Sequence, residues 1–347
     1  MNIINLSDLE LSWNWLRDEF KHRPDIWHHY SSLGVNMPKF VPKRDSIARM
    51  IAASKAVNLA RKSPSILVSH GPRPALYAGH LAKVMCPDTP HLVYSFNFTN
   101  LPQGAQRKLM ASAFKQPTKF VTYSTVERQL YADYFELDIE KIDMLHWAVH
   151  APKLDLSAAP IESGRYICAL GSQGRDYATL INAMKKLPHI KLVLVASAES
   201  IKDLNVPNNV KIRSNVPLST AHNILAHSAF MVLPLRDAKV PCGHVTIVSA
   251  MFFKKAILVT NSTGVHDYIR DHETGLFFEP NDPDDLARKI EALWSSYPSD
   301  SQSSVNQSSD NNPNLEALGQ AGYDFAHQYC TEQTATSYFE RFLKQHS

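Results

Sequence analysis

Two loops of the sequence carry residue types that suit the binding of an anion. In the segment GSQGRD (171–176), Arg175 offers a fixed guanidinium charge. In the segment VPCGHVT (240–246), Gly243 precedes a predicted helix and lets the backbone approach a ligand closely. The free amides at the start of that helix favour an anion such as a diphosphate. They belong to His244, Val245 and Thr246. A glycine before a helix also fits a plain turn, so spacing alone leaves both interpretations open.

Short apolar runs alternate with helical patterns along the chain, which is typical of βαβ units and parallel sheets. In the first half, the predicted strands are 2–6, 26–30, 66–69, 91–96 and 119–124, and the predicted helices are 9–21, 45–62, 73–84, 105–114 and 126–135. In the second half, the strands are 166–170, 190–196, 210–214, 230–235 and 256–260, and the helices are 176–186, 219–227, 245–253 and 283–294. Because ligands bind outside the carboxyl ends of parallel strands, we expect the site in the loops that follow them.

The linker-like segment HAPKLDLSAAPIESG, with its prolines and serines, separates the two alternating regions. We therefore predict one domain over 1–150 and a second over 151–314. Residues 295–313 are polar and low in complexity, so we expect a mobile loop there. Residues 315–347 return to helical periodicity and are expected to pack back on the body.

The composition is that of a folded protein, with 347 residues, 44% hydrophobic and 20% charged. The four cysteines lie far apart without a C-x-x-C pair, so neither a zinc ribbon nor a disulfide framework is indicated. No run approaches the ~18 apolar residues that a membrane span needs, and residues 1–10 lack the apolar core of a signal peptide. We expect a cytoplasmic protein.

The net charge of +3 is unevenly distributed, since residues 1–150 hold 18 Lys and Arg against 13 Asp and Glu. Asp45 is the only acidic residue of a basic stretch over 39–62. Its cations are Lys39, Lys43, Arg44, Arg49, Lys55, Arg61 and Lys62. Such a stretch attracts an anionic membrane surface or an acidic substrate, or it is a solvated helix flank, and these interpretations stay open. Nucleic acid is not expected as a partner, because no recognition motif accompanies the charge.

Several segments together carry a family resemblance. In the second half they are GSQGRDYATLINAM (171–184), AHNILAHSAFMVLPL (221–235) and the long segment over 242–290 that begins CGHVTIVSAM. They resemble the nucleotide-sugar-binding domain of GT-B glycosyltransferases, in particular the retaining family 4 group. The first half resembles the acceptor domain more faintly, through segments at 68–83, 91–98 and 119–149. The resemblance implies an α/β fold of GT-B type, with two Rossmann-like parallel-sheet domains facing across a cleft.

The resemblance also implies a donor site in the second domain. The family's phosphate-binding lysine falls on Arg175, which keeps the charge, whereas a partner arginine falls on Ser172. The glutamates of the E-x7-E element fall on Pro241 and Ser249, which leaves one hydroxyl for the ribose. The other predicted donor-binding residues are Asn215 and Val216, at the family's base pocket, and Gly171, Gly174, Cys242, Gly243, His244, Val245 and Thr246. We expect Arg175→Ala to abolish diphosphate binding and to leave the melting point nearly unchanged.

In the acceptor domain, the family's cleft histidine falls on Asn97, which binds hydroxyls but cannot transfer a proton near neutral pH. His70 and Asp8, each after a predicted strand, are the alternatives. The front-face mechanism proposed for this family needs mainly positioning and stabilisation of the leaving phosphate, so loss of the histidine does not by itself abolish transfer. The predicted catalytic residues are Arg175, His70 and Asn97.

Two further patterns point to other chemistry but lack what it needs. His146 and His150 have a spacing that suits zinc, but Pro152 follows at once and no HExxH is present, so packing is the favoured interpretation. Cys242 as a nucleophile would need an activating base, which the sequence does not show.

The sequence thus predicts a glycosyltransferase that moves a sugar from a UDP- or GDP-sugar to a hydroxyl of a glycan or lipid-linked glycan, in the synthesis of cell-surface polysaccharide or glycoconjugate. No cofactor and no metal are expected, because Arg175 and the helix amides supply positive charge. Peripheral contact with the inner face of the membrane is an additional hypothesis. The alternatives are a non-catalytic nucleotide- or glycan-binding relative and a nucleotide-sugar epimerase of GT-B fold.

Overall fold

The computed structural model describes residues 1–13, 15–38, 40–149, 151–152, 159–236, 240–296 and 314–347. The chain forms two compact units. Unit 1 comprises Met1–Leu145 and Gln333–Ser347, and unit 2 comprises His146–Glu332. The C-terminal helical region is therefore divided, because its last fifteen residues pack in unit 1 and the preceding helix packs in unit 2. The predicted loop at 295–313 lies, from residue 297 onward, outside the described residues.

Unit 1 is built on a six-stranded parallel sheet with the order β2-β1-β3-β4-β5-β6. Its strands are β1 (Asn2–Ser7), β2 (Ile26–Ser31), β3 (Ser65–His70), β4 (His91–Tyr94), β5 (Lys119–Thr122) and β6 (Ile142–Met144). Its helices are α1 (Trp15–Glu19), α2 (Arg44–Ala60), α3 (Pro72–Met85), α4 (Gly104–Phe114), α5 (Thr125–Phe135) and, from the end of the chain, α12 (Glu332–Gln345). Helices cover both faces of such a sheet, which is why its central strands β1, β3 and β4 are buried along almost their whole length.

Unit 2 repeats this architecture with the strand order β12-β11-β10-β7-β8-β9, again parallel. Its strands are β7 (Ile167–Leu170), β8 (Leu192–Val195), β9 (Val210–Arg213), β10 (Met231–Leu233), β11 (Ile257–Thr260) and β12 (Leu276–Phe278). Its helices are α6 (Tyr177–Lys185), α7 (Ala198–Ile201), α8 (Leu218–His227), α9 (His244–Phe252), α10 (Pro283–Ser296) and α11 (Leu315–Tyr329). The two predicted parallel sheets are thereby confirmed.

The direction in which successive strands are added reverses at one point in each sheet. In unit 2 this reversal brings the loops after β7 and β10 together. In unit 2 the chain runs from β7 outward to β9 and then returns to β10, on the other side of β7. The loops after β7 and β10 consequently meet at the carboxyl edge, where open α/β sheets leave a crevice for ligands. A backbone bridge between Arg175 and Leu235 joins the two loops there. In unit 1 the reversal lies between β1 and β3.

Some predicted elements differ from the structure. The helix expected over 9–21 is reduced to α1, because the chain turns first, with the Trp13 amide bonded to the Glu10 carbonyl. The strands β6 and β12 were not predicted, since three residues are too few to show a period. The predicted helical region over 315–347 forms two helices, separated where Thr331 forms a bridge with Val149.

Helix α11 lies against the end of α9 at unusually close range. Gly319 makes this possible, because a Cβ added there would lie 2.1 Å from the Lys254 carbonyl oxygen. Gly322, one turn later, contacts Met251. No helix in the described ranges combines the length and apolar character needed to cross a membrane.

Candidate functional site

A cavity of about 420 Å³ opens at the carboxyl ends of β7, β8 and β9 in unit 2. Seven of the predicted donor-site residues line it, namely Gly171, Ser172, Asn215, Val216, Val245, Thr246 and Ser249. The other lining residues were not predicted from the sequence. They are Leu170, Val195, Ala196, Ser197, Leu218, Ala221 and His222. They come from strands and helices whose spatial neighbours a single sequence does not reveal.

Arg175 lies behind this cavity and holds its loops together. Only 6% of the residue is exposed. Its Nε donates to the Leu170 carbonyl at 3.2 Å, its Nη1 to the Gln173 carbonyl at 2.8 Å, and its Nη2 to Thr246 Oγ1 at 2.8 Å. These bonds use three of the five guanidinium N–H groups. Burial lowers the pKa of this guanidinium from its ordinary value.

Gly171 leaves the space that the Arg175 guanidinium occupies. The φ of this residue is +105°, and an added Cβ would lie 2.6 Å from Arg175 Nη2. The Tyr177 hydroxyl donates to the Gly171 carbonyl, which fixes the turn from the opposite side. Arg175 is thus a buried bridge between the loop after β7 and the start of α9. Its replacement by alanine would leave buried carbonyls without partners, so the structure favours a lower melting point for this variant over the unchanged one expected from the sequence.

The N-terminus of α9 supplies the amides of the site. Gly243, with φ +95°, is the N-cap. Its carbonyl accepts from the amides of Thr246 at 2.9 Å and Ile247 at 3.0 Å. The Thr246 amide is therefore engaged within the turn, and the amides of His244 and Val245 are the two that meet no acceptor among the described residues. The predicted set of three amides is reduced to these two.

The polar side chains that line the cavity are neutral. Ser172 Oγ accepts from the Ser197 amide at 2.8 Å, which joins the loops after β7 and β8. Ser249 Oγ donates to the Val245 carbonyl at 2.8 Å, so it offers a ligand only its lone pairs. Asn215, with φ +55°, occupies a left-handed turn after β9. Burial lowers the pKa of His222, which keeps this ring neutral near pH 7.

Like Arg175, the predicted residues Cys242 and His244 do not line the cavity with their side chains. The Cys242 thiol packs against Gly174, where an added Cβ would lie 2.4 Å from Sγ. The His244 ring turns away, stacks on Tyr268 at 4.7 Å and lies 3.3 Å from the Gly264 carbonyl. Burial lowers the pKa of His244 to about 4. These side chains support the loops, and neither residue is among those that line the cavity.

In unit 1 the predicted residues follow the carboxyl ends of β1, β3 and β4. Asp8 is an ion-pair partner, since Arg49 Nε lies 2.8 Å from Oδ2 and Ser32 donates to Oδ1 at 2.6 Å. This pairing occupies the carboxylate that was predicted to bind substrate. Asn97 is exposed.

His70 is half-buried in an aromatic cluster at the same edge of the sheet. Trp13 packs edge-on at 4.6 Å, and Nε2 lies 3.3 Å from Asn5 Oδ1. Burial, with a smaller contribution from His29, lowers the pKa of His70 to about 3. A general base works best with a pKa near the ambient pH, so this ring is suited to hydrogen bonding and poorly suited to accepting a proton.

No group of three or more His, Cys, Asp or Glu side chains in the described ranges could hold a metal ion. His146 Nε2 donates to the Asp267 carbonyl at 2.9 Å and the ring packs on Tyr268, in agreement with the packing interpretation. His150 lies outside the described residues.

Comparison with known protein families matches residues 165–296 to the family described as "Glycosyl transferases group 1". This range contains the whole cavity. The glycosyltransferase class predicted from the sequence is thereby confirmed for this domain. Comparison with the curated proteins found no match.

Solved structures similar to this chain cover 99% of it. They include a glycosyltransferase from Rickettsia africae, with 17% identity, a TM-score of 0.71 and 98% of that chain covered. Anabaena HepE in complex with UDP has 11% identity, a TM-score of 0.70 and 100% coverage. Sucrose-phosphate synthase from Thermosynechococcus elongatus has 13% identity, a TM-score of 0.71 and 99% coverage. The two six-stranded parallel sheets match GT-B structures, which confirms the predicted fold class.

Proposed function

We propose that the protein transfers a sugar from a nucleoside diphosphate sugar, bound in unit 2, to a hydroxyl of a glycan or lipid-linked glycan bound by unit 1. The observation that carries this proposal is the cavity at the carboxyl edge of β7, β8 and β9, which lies within the group 1 domain. It combines the Val245 amide at the start of α9, a buried guanidinium bonded to the lining residue Thr246, and an apolar wall. Those are the features that a diphosphate joined to a planar base requires.

The diphosphate would lie at the N-terminus of α9. The amides of His244 and Val245 and the positive end of the helix dipole would stabilise the charge that develops on the leaving phosphate. Arg175 would act from behind, by fixing Thr246 and Gly171 and by adding a charge that burial leaves poorly screened. Since these groups supply the positive charge, we expect transfer to persist in the presence of a metal chelator.

The base and ribose would occupy the outer part of the cavity. Val195, Leu218 and Ala221 offer apolar surface there, and Asn215 and Ser197 offer hydrogen-bonding groups. HepE binds UDP, UDP with glucose, and UDP-glucose in its solved complexes, so a UDP-sugar is the first donor to test and a GDP-sugar the second. Ser249 would bind the ribose through one hydroxyl, in place of the glutamate that the family 4 resemblance implies.

Transfer with retention is part of the proposal. In the front-face mechanism the leaving phosphate accepts the acceptor's proton, so no side-chain base is required. This fits a unit 1 in which Asp8 is ion-paired and the pKa of His70 is low. Asn97 and His70 would then bind acceptor hydroxyls. We place the activity in the cytoplasm, in the synthesis of cell-surface polysaccharide or glycoconjugate.

A second candidate is a nucleotide-binding protein without turnover. It is favoured by the neutral lining of the cavity and by Pro241 and Ser249, which occupy the positions where the family 4 resemblance implies two glutamates. Stabilisation by a nucleotide without sugar transfer to any acceptor would select it. A sugar epimerised in the absence of an acceptor would instead select the epimerase.

The proposal is tested by thermal shift with UDP, GDP, ADP and CMP and their sugars. A ligand at one hundred times its Kd stabilises the protein by ~2.7 kcal/mol. Val245→Pro removes one of the two free amides at a helix position that makes no intrahelical bond, and the side chain is 49% exposed. We expect this variant to lose most of the shift, whereas Val245→Ala, which keeps the amide, retains it. A full shift in Val245→Pro would place the diphosphate elsewhere.

A further inference from the structure

Helix α2 of unit 1 has one buried face and one face that no other described element covers. The buried face consists almost entirely of small residues, which let the helix pack closely on α3 and β1. These residues are Ala48, Ala52, Ala53, Ala56, Val57 and Ala60. The opposite side of the helix carries its exposed residues, although Ile51, Ser54 and Asn58 on that side are half-buried.

Large apolar side chains are exposed on this side of α2 and in the segment that precedes it. Ile47 is 39% exposed and Met50 is 42% exposed. Phe40, just before the helix, is 85% exposed. A single exposed apolar residue needs no explanation, but three within eleven residues form a local concentration.

The same side is cationic and lacks acidic residues. At about 100° per residue, Arg44, Ile47, Met50, Lys55 and Arg61 fall within a sector of ~140°. Asp45, the only acidic residue of α2, falls outside this sector. Lys43 precedes the helix and Lys62 follows it, and both are exposed.

Arg49 belongs to the basic stretch of the sequence but not to the cationic side of the helix. This residue lies outside the cationic sector and is held by Asp8 at 2.8 Å, so its charge is neutralised within unit 1. Among the described residues, Lys43, Lys55, Arg61 and Lys62 have no ion-pair partner, and Arg44 Nε lies 3.7 Å from the exposed Asp45. The face therefore carries a net positive charge interspersed with apolar groups.

We propose that the α2 face, defined as Phe40, Lys43, Arg44, Ile47, Met50 and Lys55 with Arg61, docks on an anionic lipid bilayer. The cations would pair with lipid phosphates, and Phe40, Ile47 and Met50 would enter the boundary between headgroups and acyl chains. A solvated helix flank would instead mix acidic with basic residues and would not expose three large apolar groups. This inference does not depend on the proposed transferase activity.

The test is co-sedimentation of the full chain with vesicles of phosphatidylcholine, alone or mixed with phosphatidylglycerol. We expect binding only to the mixed vesicles, and weaker binding at high salt. Reversal of Lys43, Arg44, Lys55 and Arg61 to Glu should lower the partition coefficient at least ~100-fold, since each basic residue near a charged surface contributes about fivefold. The matched control reverses four exposed lysines elsewhere, namely Lys83, Lys108, Lys185 and Lys202. It should retain most of the binding.

A second variant separates a bilayer from other polyanions. Phe40→Ser, Ile47→Ser and Met50→Ser together keep every charge, and we expect them to weaken vesicle binding at least ~10-fold, because the apolar insertion is lost. Unchanged binding in this variant, or in the charge-reversed one, would overturn the proposal. So would an equal loss in the control, equal binding to neutral vesicles, or stronger binding to RNA than to mixed vesicles. Unfolding midpoints measured without vesicles would verify that each variant is folded.

Discussion

At the scale of single residues, the Arg175 guanidinium is fixed by acceptors from two loops of unit 2. Arg175 was predicted as a direct phosphate ligand, and the structure surrounds it with the Leu170 and Gln173 carbonyls and the Thr246 hydroxyl. Such contacts depend on the approach of two loops that are about seventy residues apart. The predicted site residues that line the cavity follow from local motifs, whereas His222 and Val195 were missed because no motif marks them.

Gly171→Ala tests the role of this bridge. We expect the substitution to displace the guanidinium of Arg175, because the new Cβ would lie 2.6 Å from Nη2. The nucleotide-dependent thermal shift should be lost, and the free energy of unfolding should fall by more than the ~1–2 kcal/mol of a left-handed residue. Gly164→Ala is the matched control, since that glycine has φ +73° and its Cβ would meet nothing within 4 Å. Equal effects of the two substitutions on nucleotide binding would contradict the proposed role.

At the scale of elements, long periodic segments were predicted well. Helix α10 was expected over 283–294 with Asp282 as its cap, and the structure has Pro283–Ser296, with Asp282 accepting from the Asp284 and Asp285 amides. Here local signals and tertiary packing agree. The two disagree over residues 9–13, where the apolar spacing predicts a helix but the chain forms a turn before α1 begins at Trp15. The close contact between α11 and α9 had no sequence signal, because a glycine within a helix does not reveal what approaches it.

Gly319→Ala measures that contact. The alanine methyl group would meet the Lys254 carbonyl, so α11 must shift away from α9. We expect a loss of about 1–3 kcal/mol in the free energy of unfolding, despite the higher helix propensity of alanine. Urea denaturation would measure it. Gln320→Ala, at the exposed neighbouring position, should be neutral or slightly stabilising. A Gly319→Ala variant as stable as that control would show that the helices are not in close contact.

At the scale of the whole molecule, each unit buries a neutral histidine. Burial lowers the pKa of His91 in unit 1 to about 3 and that of His244 in unit 2 to about 4. Both rings are at most 7% exposed. The sequence does not show that either histidine is buried, since histidine is intermediate between the residue types found inside proteins and those found on the surface.

Because of these two histidines, we expect the free energy of unfolding of both units to fall at acidic pH. Below about pH 6.5 the unfolded chain takes up protons that the folded chain does not, so the free energy of unfolding falls as the pH decreases. At pH 5 each histidine contributes about 2 kcal/mol to this loss. Urea denaturation at pH 7.5 and pH 5 would measure it. His91→Gln and His244→Gln should each show a smaller difference between the two pH values than the parent, and an unaltered difference would contradict the assignment.

Helix α12 has a consequence for the order in which the protein folds during synthesis. Phe339 of this helix packs on Tyr94, and the Tyr338 hydroxyl donates to Asp143 at 2.7 Å, so the helix completes unit 1. The ribosome must therefore translate all 187 residues of unit 2 before it synthesises α12, the helix that packs on Tyr94 and Asp143. At about 5–20 residues per second, the nascent first unit waits ~10–40 s with this side uncovered. Chaperones that bind exposed aromatic surface would meet the growing polypeptide in that interval.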